Sequence, residues 1–142
     1  MRNFSIDIVW AKIQMAVAAI GGWLGYFLGG MDGLMIALVV FMALDYITGI
    51  IVAVINKNLS SEVGFKGLAK KLLILVFVAI GHIVDAYILG GTPAAMSAVM
   101  LFYIANEGIS IIENAAALGL PVPRKLREIM EQIKDKGEKN ND

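Results

Sequence analysis

Four carboxyl side chains, Asp45, Asp85, Glu107 and Glu113, sit in stretches of sequence that are otherwise oily. In LVVFMALDYITGIIVAVINKN, Leu38–Asn58, the acid lies mid-run, and the nearest basic residue of the run, Lys57, is about three turns away. Acids placed like this can move protons, border water, or hydrogen-bond a neighbouring helix. Hydrolytic chemistry would need more. His82 and Asp85, three residues apart and so neighbours on a helix face, form a base beside an orienting acid. Ser97 and Ser110 are the only serines within the apolar runs, and an oxyanion site would also be required. That reading is set aside, and the chain is expected not to be an enzyme. With no cysteine there is neither a disulfide framework nor a cysteine metal site, and no metal or cofactor is expected.

The polar groups are patterned. At about 100° per residue, Tyr103, Asn106, Glu107, Ser110, Glu113 and Asn114 share an arc of roughly 120°. Thr48 and Gly49 follow Asp45 by one turn. His82 aside, no basic residue falls within these runs, so ion pairing is not expected to neutralise the acids. A carboxyl group in hydrocarbon either keeps its proton or faces water. Protonated acids can simply tie helices together, but four acids and two asparagines exceed what that needs. A polar path through Asp45, Thr48, His82, Asp85, Asn106, Glu107, Ser110, Glu113 and Asn114 is expected. Asp45 itself is expected to be protonated at rest and hydrogen-bonded to His82 or Asn106.

The elements that must carry these groups are helices in a bilayer. The chain is 58% hydrophobic, with a mean hydropathy of +0.75, above the roughly 45–50% apolar content of soluble domains. Runs at 13–29, 33–55, 72–89 and 93–118 can each cross a core of about 30 Å, the first only with snorkelling flanks or a thinned bilayer. They make residues 1–120 a transmembrane domain. AVAA at Ala16–Ala19 interrupts the first run rather than following it, so that run is read as a retained span and not a cleaved signal.

Charge placement sets the topology. Arg2 and Lys12 precede the first span, Lys57, Lys66, Lys70 and Lys71 separate the second from the third, and the remaining basic residues, beginning with Arg124, Lys125 and Arg127, follow the fourth. The connectors GGMDG and GGTP carry none. By the positive-inside rule, both termini and the lysine-bearing connector are cytoplasmic. The expected fold is an all-α membrane protein: four transmembrane helices as two hairpins, then a short cytoplasmic amphipathic helix.

Finer expectations concern ends and faces. Thr92 and Pro93 read as N-cap and first residue of the fourth helix, and Gly119 as its terminator. The lysine-bearing connector reads as a loop with a short interfacial helix. Leu126, Ile129, Met130 and Ile133 make 121–136 amphipathic, on the membrane surface or against a neighbouring subunit, and 137–142 reads as disordered. Ala18, Gly21, Gly25 and Gly29 form a small-residue face for helix packing within or between subunits, echoed by Gly49 and Ala53.

The run LDYITGIIVAVINKNLSSEVGFKGLAKKL, Leu44–Leu72, resembles the signature of the phage holin family that includes the clostridial toxin-secretion proteins. It has an Asp, a Thr-Gly one turn later, a Leu-Ser at the helix exit, then Gly-Phe-Lys-Gly and Lys-Lys. NEGISIIENAAALGLPVPRKL and the charged tail are similar too, and the likeness covers about Phe41–Lys134. The resemblance implies a protein of the bacterial cytoplasmic membrane that oligomerises and opens lesions for an endolysin or toxin, with itself, the lipid bilayer, that cargo and an antiholin as partners. The alternative is a small ion- or proton-conducting channel or transporter subunit, which also needs intramembrane acids. No free basic domain points to nucleic acid.

The topology is tested with single cysteines and an impermeant thiol reagent. Gly33→Cys should label from outside intact cells, and cysteines at Asn3, Ser61 and Asn140 only after permeabilisation. Outside labelling at Asn3 but not at Gly33 would sink it.

Overall fold

The computed structural model describes residues 4–139. Five helices follow in order: α1 (Phe4–Phe27), α2 (Gly33–Ile55), α3 (Ser61–Tyr87), α4 (Ala94–Ala117) and α5 (Arg124–Lys139). The first four are each long and apolar enough to cross a membrane. The fold is all-α, as the sequence implies, but several boundaries move. α1 begins at Phe4, well before the apolar run. α3 begins at Ser61, so most of the lysine-bearing connector is the first part of a spanning helix. Ser60 caps it, its hydroxyl accepting from the Val63 amide at 3.2 Å. α5 runs through Gly137, so residues 137–139 are helical, and the expected disorder of 140–142 lies outside the described residues.

α4 is the element around which α2, α3 and α5 are arranged. Met35, Leu38 and Met42 of α2, Ile74 and Val78 of α3, and Met96, Met100 and Ile104 of α4 form one buried cluster. Their spacings of three and four give each helix a single apolar seam, the pattern of bundle packing. α2 and α3 touch little directly. Tyr46 of α2 bridges them, its ring lying over Gly67 and its hydroxyl donating to the Gly64 carbonyl at 3.3 Å.

Two helical glycines permit close approach. A Cβ on Gly81 would lie 2.8 Å from Met96 Cα, so α3 and α4 meet backbone to backbone. On Gly108 it would lie 2.7 Å from Met130 Sδ, so Met130 of α5 fills the slot that the glycine leaves on α4. α5 therefore folds back along α4 of its own chain. Further along, Lys134 Nζ stands 5.9 Å from the centre of the Phe102 ring.

The small-residue face of α1 behaves otherwise. Among the described residues, none comes within 4 Å of a Cβ built on Gly21 or Gly25, and Ala18 is exposed. Gly29 lies in the turn after α1, where an added Cβ would strike His82 and Met96. Gly49 faces Asn114 at ordinary contact distance, and Ala53 is half-buried.

Gly81→Leu should overpack the α3–α4 contact and cost about 1–3 kcal/mol of stability, read as a lowered thermal midpoint in detergent. Gly25→Leu should leave that midpoint unchanged. Equal midpoints for wild type and Gly81→Leu would contradict the backbone contact.

Candidate functional site

The seams of the three packed helices continue beyond the apolar cluster and change character. On α2, Met35, Leu38 and Met42 lead to Asp45 and Gly49; on α3, Asp85, Gly81, Val78 and Ile74 lead to Lys71 and Gly67. On α4, Met96 and Met100 lead to Tyr103, Glu107, Ser110 and Asn114. Asp45, Lys71 and Glu107 each lie ten residues, about 15 Å, from their helix end at Ile55, Ser61 or Ala117. One layer of the bundle thus gathers three ionisable groups from three helices.

Lys71 joins them. Its ammonium donates to Asp45 Oδ2 and to Glu107 Oε2. The Lys71, Asp45 and Glu107 side chains are only 13, 15 and 9% exposed, so all three are largely stripped of water. Asn114 completes the layer. Its amide donates to Thr48 Oγ1 at 2.9 Å and to Asp45 Oδ1 at 3.3 Å, while Thr48 donates to the Leu44 and Asp45 carbonyls. Among the described residues, no buried side-chain nitrogen or oxygen lacks a partner. The expected partners of Asp45, His82 and Asn106, are thereby corrected to Lys71 and Asn114. The reason is helix length: α3 starts at Ser61, about a turn and a half before Lys66, and carries Lys71 into the bundle instead of leaving it in a loop.

Clefts open on both sides of this layer. One, of about 210 Å³, is bordered by Asp45, Gly49, Gly67, Ser110 and Asn114. The other, of about 340 Å³, is bordered by Phe77, Tyr103, Asn106, Glu107 and Ser110. Lys70 and Lys71 edge both. Most of the polar arc expected on the fourth helix therefore does face common space, but Glu113 is exposed and borders neither cleft.

His82 and Asp85 lie at the far end, near the two hairpin turns. Asp85 is buried, and its oxygens accept from the Ala95 and Met96 amides at 2.8 and 2.9 Å. It thus caps the N-terminus of α4, where free amides and the positive end of the helix dipole favour an anion. Pro93, at the capping position, makes no side-chain hydrogen bond, which corrects the expected Thr92 cap. Both oxygens of this carboxylate are thus engaged at the end of α4. Gly119 does end α4, with a left-handed φ of 80°. Lys57, Lys66, Lys70, Arg124 and Lys125 are exposed, and Arg127 is half-buried.

Residues 22–135 match the bacteriophage holin family, from the last quarter of α1 into α5, and so include the whole charged layer. The chain belongs to that family. A similar protein is the uncharacterized 14.9 kDa protein in the nagH 3′ region of Clostridium perfringens, 40% identical and aligned over 87% of this chain and 94% of the relative. Uncharacterized protein Lin0175 of Listeria innocua is 42% identical, over 83% of this chain and 84% of its own. Uncharacterized protein YqxH of Bacillus subtilis is 35% identical, over 82 and 83%. No solved structure matches the chain. Family and helices together make it a multi-pass membrane protein of holin type.

Removing the shared cation tests the layer. Lys71→Met strands two desolvated carboxylates and should cost this holin-family protein about 3–5 kcal/mol, measured by unfolding in mixed micelles. Adding Asp45→Asn and Glu107→Gln to that variant should recover most of the loss. A single variant as stable as wild type would mean that the ammonium joins nothing.

Proposed function

We propose that this protein is a holin: it oligomerises in the bacterial cytoplasmic membrane and forms lesions that depolarise the cell and release an endolysin or toxin. The observation that carries the reading beyond family membership is the charged layer. Intramembrane ionisable groups are costly and mark sites where water or ions can be admitted. Here three of them share one depth, with open clefts above and below. At rest the contacts are satisfied inside one chain; in an assembly, helix rearrangement would open the layer and hydrate it. Homo-oligomers, lipid, the released cargo and an antiholin are the partners this function calls for, and both termini would face the cytoplasm.

A buried cation between two carboxylates also suits a small ion- or proton-conducting channel or transporter subunit. Size of the permeant separates the two readings.

Inducible expression in a bacterium that holds a cytoplasmic, signal-less endolysin supplies the test, with membrane potential and culture turbidity followed together. Depolarisation should be followed by lysis only when the endolysin is present. Asp45→Asn should insert normally yet change the interval between induction and depolarisation. Depolarisation without escape of the enzyme would favour the small channel.

A further inference from the structure

The position of α5 conflicts with its composition unless water lies beside it. α4 spans about 36 Å, and Phe102 lies about 12 Å from its Ala94 end and about 22 Å from its Ala117 end. Lys134 sits over Phe102, and Met130 fills the slot at Gly108. α5 therefore climbs beside α4 to mid-bilayer depth. The side it turns to α4 includes Arg127, Met130 and Lys134, all at least half-buried. On the opposite arc Arg124, Lys125, Glu128, Glu131, Asp135 and Lys136 are all exposed. Such an arc cannot face lipid chains.

Much of the surface of α1, α2 and α3 is of the other kind. Exposed large apolar side chains crowd α1, α2 and α3, among them Trp10, Val40, Val76 and Phe77. The bundle thus has sides suited to lipid and one side suited to water. A single helix face cannot enclose water within a bilayer; several copies with that face turned inward can.

We propose that the charged face of α5 lines an aqueous lumen enclosed by copies of this chain, with α1–α3 turned toward lipid. The arc carries three basic and three acidic groups, so adjacent copies meet without net repulsion and can pair across the lumen. Lys125 and Glu128, within 4.0 Å of each other, already pair within the helix. This inference rests on α4 spanning the membrane, as the holin reading requires, and places the lumen on the opposite side of α4 from any path through the Lys71 layer.

The test uses the full-length protein in liposomes. Cysteines replacing Phe102 and Lys134 should be joined within one chain by a short bifunctional thiol reagent, showing α5 docked at depth. Spin labels at Glu131→Cys and, separately, Asp135→Cys should be relaxed by a water-soluble nickel chelate, with a nickel-to-oxygen accessibility ratio at least five-fold above that of Val76→Cys on the lipid face of α3. Failure to join 102 and 134 would show α5 detached and overturn the proposal, as would a ratio at Glu131 and Asp135 no higher than at Val76. The holin reading falls separately: an assembly that meets both expectations but never releases endolysin has an α5-lined lumen without being a holin.

Discussion

One ammonium group shared by two carboxylates from different helices is the constraint on which the bundle depends. Lys71 of α3 reaches Asp45 of α2 and Glu107 of α4, and α2 and α3 otherwise meet chiefly through Tyr46. Stripped of water, none of the three is tolerable alone, so they act as a set that requires three helices at one level and one rotation. Apolar packing against lipid cannot impose such a register, because lipid chains are as apolar as the side chains they would replace. The polar layer supplies specificity, and the cluster of Met35, Leu38, Val78 and Met100 beside it supplies close contact.

A second polar tie works at the hairpin end. Asp85 holds the first amides of α4, and Gly81 lets α3 lie directly against Met96. With the Lys71 layer, α3 is pinned to α4 at two points separated by about 21 Å of helix. Two pins on one pair of helices fix rotation as well as separation. α2 is joined to α4 at Thr48 and Asp45 through Asn114.

Much of this arrangement is legible in the chain. Four apolar runs, tight glycine turns and the placement of basic residues predict the helices, and the 3.6-residue period brings Asn106, Glu107, Ser110 and Asn114 to one face. The hidden part is Lys71. Reading it as a loop residue follows from where the apolar run stops, but the seam does not stop there: Asp85, Gly81, Val78, Ile74, Lys71, Gly67 and Gly64 continue at steps of three and four. Following that step backward through the connector reveals both the cation and the glycines beneath Tyr46. Asp85 as a cap was concealed for another reason. Its partners lie beyond a turn, on the next helix, where no local spacing rule reaches. Likewise the glycines that matter most for packing, Gly81 and Gly108, stand alone and not in a four-residue row, so a repeat search passes over them.

The apolar cluster has a material property of its own. Met35, Met42, Met96 and Met100 make it rich in thioethers, and Met130 adds another at Gly108. These unbranched chains turn about several bonds and refill a cavity that has changed shape, where leucine or isoleucine would leave a void. The bundle therefore joins a stiff electrostatic tie to a compliant filling. Such a filling adapts to small tilts or slides of the helices about the Lys71 level, so the cost of passing between two packings would fall mainly on the charges.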